Sequence, residues 1–143
     1  MQTITPYLLY EDGGAAIEWL CRAFGFRERL RYADDAGTVT HAELALGDSL
    51  IYLGHPGADY RSPGSLGAFT HLVHVYVEDV DAHYERARDA GARIHAEPED
   101  TPYGDRRYDT EDLEGHRWSF ATVLREVPAE EWGAIEAAGE NGA

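Results

Sequence analysis

The segment THLVHVYVEDVD (70–81) carries two histidines three residues apart, His71 and His74, in a chain with seven. Imidazoles so close in sequence raise the question of a metal site or an acid–base pair. The segment reads as a strand, and residues three apart on a strand point to opposite sheet faces, so His71 and His74 cannot grip one ion together. A second constellation lies in THAELAL (40–46), where His41 and Glu43 share one strand face and Ala42, Leu44 and Leu46 share the other. His41, Glu43 and His74 together offer two imidazoles and a carboxylate. That set could hold a divalent ion through three ligands. It could move a proton, with Glu43 orienting an imidazole base. It could also hydrogen-bond a bound molecule, or only its own members. Cys21 falls on an apolar helical stripe with Ile17, Leu20 and Phe24, which reads as a buried structural thiol. As the lone cysteine it excludes an internal disulfide and any CxxC zinc site. All twelve basic residues are arginine, so no Schiff base, phosphate-loop lysine or lysine general base is available.

The rest of the composition narrows the classes further. A chain of 143 residues is about one domain and can bury a core without staples. A net charge of −15 repels nucleic acid and anionic membrane, and favours a cationic ligand if it does more than keep the protein soluble. No apolar run has the length of a membrane helix, and MQTITPYLLYED lacks the basic start of a signal peptide, so a cytoplasmic protein is expected.

The elements that must position these residues come in two copies. YLLYEDGGAAIEWLCRAFG (7–25) aligns with HVYVEDVDAHYERARDAGA (74–92), and Glu11-Asp12 falls on Glu78-Asp79 at an offset of 67. The same offset lays LGDSLIYL (46–53) on LEGHRWSF (113–120). Each copy starts with an apolar run (4–10; 72–77), followed by an Asp N-cap and a helix near 13–24 or 80–90. Three strands then follow, near 26–32, 38–46 and 49–53 in the first copy, and 93–96, 106–110 and 116–123 in the second. EPEDTPYGD (97–105) reads as a loop. GHPGADYRSPGSLG (54–67) reads as a Gly/Pro-rich, mobile connection between the copies. The expected fold class is α+β: two βαβββ modules, an internal repeat, forming cupped sheets around a cavity. Residues 1–126 form one domain, with module one over 3–54, a linker over 55–69 and module two over 70–124. A short helix and tail follow over 127–143.

With YLLYED…AIEWLCRAFGF, HAELALGDSLIYL, HVYVEDVDAHYERARDAGA and YDTEDLEGHRWSF in this order, the chain resembles the glyoxalase / bleomycin-resistance / dioxygenase group, the vicinal oxygen chelate superfamily. The likeness covers roughly 3–124. It implies paired modules, a cavity between cupped sheets and a homodimer. It also implies a choice between enzymes that hold one divalent ion with four side chains and antibiotic-resistance members that hold a drug without metal. The family's ligand positions fall on Thr5, Tyr52, Leu72 and Ser119 here. These do not form a divalent-metal set, since leucine has no donor atom. No metal or other cofactor is therefore expected.

Strand parity gives the expected lining: Tyr7, His41, Glu43, Tyr52, His74, Tyr76, Tyr108 and Arg117, with Ile51, Leu53, Trp118 and Phe120 on the core side. Aromatic walls with a few polar groups are the composition of a small-molecule site. The reading is a metal-free binding protein for an aromatic or cationic ligand, resembling the bleomycin-resistance type. The alternative is a lyase, isomerase or dioxygenase with a shifted or metal-free site built from His41, Glu43 and His74. The expected partners are a small molecule and a second copy of the chain.

Overall fold

The computed structural model describes residues 1–138. The elements run β1 (Tyr7–Leu9), α1 (Gly13–Phe24), β2 (Arg27–Ala33), β3 (Val39–Leu46), β4 (Ser49–Gly54), α2 (Pro63–Leu66), β5 (Leu72–Tyr76), α3 (Val80–Asp89), β6 (Arg93–Asp100), β7 (Asp105–Glu111) and β8 (Arg117–Val123). They form two four-stranded sheets, ordered β1-β4-β3-β2 and β5-β8-β7-β6. The sheets are copies of one βαβββ unit. In each, the first strand lies parallel to the last and the other neighbours are antiparallel. Both long helices start as the paired Glu-Asp motif implies. The Asp12 carboxylate accepts from Ala15 N–H at 3.0 Å, and Asp79 accepts from Ala82 N–H at 3.1 Å. No helix among the described residues is long and apolar enough to cross a membrane.

The modules join through their helix sides. Phe24, at the end of α1, packs on Trp118 and Phe120 of β8 and stacks near His83 of α3. Phe26 adds a second contact to Trp118. Tyr10, Phe24, Tyr108, Trp118 and Phe120 are all buried, and each contributes about 1.5–3 kcal/mol by leaving water. Polar contacts cross the same seam. Tyr10 O–H donates to Asp112 at 2.6 Å, and the Glu114 carboxylate accepts from the Glu11 and Asp12 N–H groups at 2.6 and 2.9 Å. Arg86 donates to the carbonyls of Arg22 and Cys21.

His83 sits in this core with both nitrogens committed. The Phe24 carbonyl can only accept, so Nε2 carries the proton and donates to it at 2.8 Å. That leaves Nδ1 to accept from Tyr108 O–H at 2.6 Å. Burial, the main cause, pushes this imidazole below its ordinary range, and Arg86 adds repulsion.

Four expectations change. The connection over 54–67 is tied down rather than mobile. Ser62 donates to Glu11 from both N–H and O–H, at 3.0 and 2.6 Å, and Ser65 O–H adds a third bond. These bonds hold the Glu11 carboxyl down at about 2. Tyr60 O–H donates to the Leu9 carbonyl, and Gly64 N–H to that of Glu114. The first strand is shorter than 4–10. Pro6 has no N–H to donate, and the Gln2 amide takes over, accepting from Leu50 N–H and donating to Leu50 C=O at 2.7 and 2.9 Å. β6 extends to Asp100, through residues that read as loop, with two register irregularities against β7. Charged side chains and Pro98 are tolerated there because β6 is an edge strand. The C-terminal helix is a single 3₁₀ turn, Ala129–Trp132, with Trp132 against Tyr103; the final residues of the tail, 139–143, lie outside the described ones.

Candidate functional site

Each sheet has one face on the shared core and one bare face. On the first sheet, Tyr7 stands level with Tyr52, Glu43 with Tyr52 and His41 with Gly54. The strand alternation of YLLY, THAELAL and SLIYLG therefore puts four of the expected residues in one patch. The three rings meet edge to face. Centroids are 5.5 Å apart for Tyr7–Tyr52, 5.7 Å for Tyr7–His41 and 5.3 Å for His41–Tyr52. Tyr7 Oη and His41 Nδ1 share a hydrogen bond of 2.8 Å. His41 Nε2 looks toward Glu43 at 3.6 Å, and Arg29 approaches Glu43 from β2, also at 3.6 Å. Glu43 is 17 % exposed and, among the described residues, accepts no direct hydrogen bond. Gly54 makes room for the patch, since a Cβ there would lie 2.8 Å from the Tyr7 ring.

The bare face of the second sheet carries His74, Tyr76 and Arg117. His74 Nδ1 is hydrogen-bonded to Ser119 Oγ, directly opposite it across β5 and β8. Its ring meets that of Tyr76 at 4.9 Å. Burial against these neighbours, then the charge of Arg107, lowers the His74 imidazole from its ordinary range. Tyr76 O–H donates to Asp105 at 3.0 Å. Arg107 bonds Asp109 at 2.9 Å, and His95 bonds Glu111 at 2.7 Å.

Tyr108 is not part of either bare face. It pairs with Phe120, is fully buried and bonds His83, and Thr110 points the same way. The outward residues of β7 are Arg107, Asp109 and Glu111. A register shifted by one residue exchanges the two faces of a strand, and that shift is the source of the wrong expectation. The signal for the right register was present in RRYDTE: three charges at alternate positions belong outside, and a tyrosine and a threonine between them belong inside.

His41 and Glu43 lie on one sheet and His74 on the other. Among the described residues of one chain, no three His, Cys, Asp or Glu side chains come close enough to hold a metal ion. The shifted three-ligand site is thus not assembled within a chain. The family's own metal positions do not suit an ion either. Tyr52 lies in the ring cluster, Ser119 is bonded to His74, and Leu72 has no donor.

The model of the glyoxalase/bleomycin resistance protein/dioxygenase superfamily matches residues 4–120, most of the chain. The chain belongs to this superfamily. Among solved structures of similar form is TioX from Micromonospora sp. ML1, 38 % identical, with a TM-score of 0.72, over 87 % of this chain and 100 % of that one. A fosfomycin resistance protein, FosX, from Listeria monocytogenes has a TM-score of 0.64 over 92 % of this chain and 97 % of its own, but at 13 % identity it shows the shared superfamily fold alone. An uncharacterised Mycobacterium bovis protein is 33 % identical over 133 residues, 90 % of this chain and 88 % of its own. Superfamily membership accounts for the duplicated βαβββ unit. The chemistry rests on the side chains described above.

Proposed function

We propose that this protein is a metal-independent binding protein for a small aromatic or cationic molecule, which lies against Tyr7, His41, Tyr52 and Glu43. One observation carries the reading: a mostly covered carboxylate, without a direct hydrogen bond, on the same sheet face as three rings that meet edge to face. Arg29 and His41, each at 3.6 Å, offset part of the cost of covering this carboxylate, and a ligand cation that reached it directly would add a charge-assisted hydrogen bond. Ring faces beside it attract cations and stack on flat groups.

The bare faces also support a homodimer. Tyr7, Tyr32, Leu72 and Tyr76 are 54 %, 64 %, 45 % and 58 % exposed in the single chain. Large open side chains gathered on a sheet face suit a contact. Closing one copy's first sheet over the other's second sheet would bring His74, Tyr76 and Ser119 opposite the Tyr7–Glu43 patch and enclose a ligand between them.

A thermal-shift screen of cationic aromatic compounds tests the binding reading. Hits that raise the melting temperature of the wild type, and raise that of Glu43→Gln less, support it. A screen in which charge makes no difference counts against it.

The Tyr7–His41–Glu43 chain favours a second reading, general acid–base catalysis with His41 transferring a proton, Tyr7 holding Nδ1 and Glu43 facing Nε2. Turnover of a bound compound that disappears in His41→Gln, with binding retained, would establish it in place of simple binding.

A further inference from the structure

A separate cleft of about 330 Å³ lies between β1 and the connecting segment 60–71, within one chain. Tyr7, Leu9, Tyr60, Leu66 and Phe69 give it apolar walls, and Arg117 lines it from the second sheet. Its size is that of a small-ligand pocket. Arg117 is the member stacked on an aromatic wall. Its guanidinium lies over the Phe69 ring at 4.0 Å from the centroid. Among the described residues it has no carboxylate within 4.0 Å and donates no hydrogen bond. Among the described residues six of the twelve arginines of this chain, whose net charge is −15, have an acid partner, and Arg117 is one of the six that do not; its cross-strand neighbour Glu111 is turned to His95 and Arg93 instead.

An acidic chain with an uncommitted arginine beside an apolar cleft has a place for an anion. The stack on Phe69 uses one face of the guanidinium, fixes its plane and leaves its N–H edges free. That planar fork matches a carboxylate through two parallel hydrogen bonds. Arg61 lines the same cleft and adds a second positive charge. The apolar walls suit a flat hydrocarbon ring attached to the anionic group.

We propose that this cleft binds an aromatic carboxylate, with the carboxylate on Arg117 and the ring between β1 and Phe69. The site goes beyond the Glu43 patch and shares only the Tyr7 side chain with it. The two take opposite charges, so their ligands can be told apart.

The test is a calorimetric titration of the full chain with 1-naphthoate, and with 1-naphthylmethylammonium as its cationic counterpart. Wild type binds naphthoate. Arg117→Met, which keeps an unbranched apolar side chain beside Phe69 and removes the charge, weakens it roughly ten- to hundredfold, the scale of a charged hydrogen bond. Arg117→Lys recovers part of the loss. Arg88→Gln removes the same charge from the distant helix α3 and leaves naphthoate binding unchanged. Melting curves confirm that the variants fold. No naphthoate binding to wild type, equal affinity in wild type and Arg117→Met, or an equal loss in Arg88→Gln would each overturn the proposal. The ammonium compound reports on the Glu43 patch, so failure of that reading shows separately.

Discussion

Tyr10→Phe removes one oxygen from the seam between the modules, and its cost follows from what that oxygen touches. Asp112 is a buried carboxylate, 4 % exposed, and accepts four hydrogen bonds. Oδ2 takes Tyr10 O–H at 2.6 Å and Trp118 Nε1–H at 3.1 Å. Oδ1 takes the N–H groups of Glu114 and His116, both at 3.0 Å. Burial, and the charge of Asp112 beside it, raise the Tyr10 phenol well above its usual value, so it remains a donor at any working pH. Phenylalanine keeps the ring and its packing but leaves Asp112 with three donors. A hydrogen bond to a charged group is worth about 1.5–3 kcal/mol, and Tyr10→Phe should lose that much in urea unfolding, with an unchanged denaturant slope. Asp112 and Tyr10 belong to different modules, so the loss measures how strongly one holds the other. A loss below about 0.5 kcal/mol, the range of an ordinary surface substitution, would refute the reasoning.

Stability should fall as pH drops below about 6.5, the unperturbed imidazole value. His83 and His74 titrate lower in the folded chain than in the unfolded one, so the unfolded chain binds more protons in that window. His83→Gln should flatten the slope of stability against pH between about 5 and 6.5, whatever its effect at pH 8; an unchanged slope would mean that His83 does not contribute to it. Gly54→Ala should push the Tyr7 ring from its place against His41 and weaken ligand binding more than it lowers the melting temperature; the two are read by titration and calorimetry of the same variant. Sedimentation at micromolar concentration should give a particle twice the 15.9 kDa chain mass, and a monomer at that concentration would contradict the homodimer.

The module was legible because it is written twice. The offset of 67 aligns Asp12 with Asp79, and both prove to be helix caps. The first sheet's patch was legible from alternation, because THAELAL and SLIYLG each divide cleanly into a small or apolar face and a polar or aromatic one. RRYDTE was harder to place, since Arg106 and Arg107 are both charged and the strand can be read in either register. In the wrong register the strand presents Tyr108 on its open face and hides Arg107, Asp109 and Glu111 in the core; the structure has the reverse. The linker's order was not legible either. It depends on Glu11 reaching Ser62 and Ser65 from about fifty residues away in sequence, a contact that no local pattern encodes. The mutual placement of the modules, through Phe24 on β8 and His83 between them, is likewise a tertiary fact.

Contact between a ligand and Glu43, with the rings around it, is the proposal on which the function rests. It is tested most directly by calorimetric titration of a cationic aromatic compound, taken from the thermal screen, into wild type, Glu43→Gln and Tyr52→Phe. Glu43→Gln should weaken binding by about 1–3 kcal/mol, the scale of a charge-assisted hydrogen bond. Tyr52→Phe keeps the ring and should weaken it less. Equal affinity in all three proteins would contradict the account and place the ligand elsewhere.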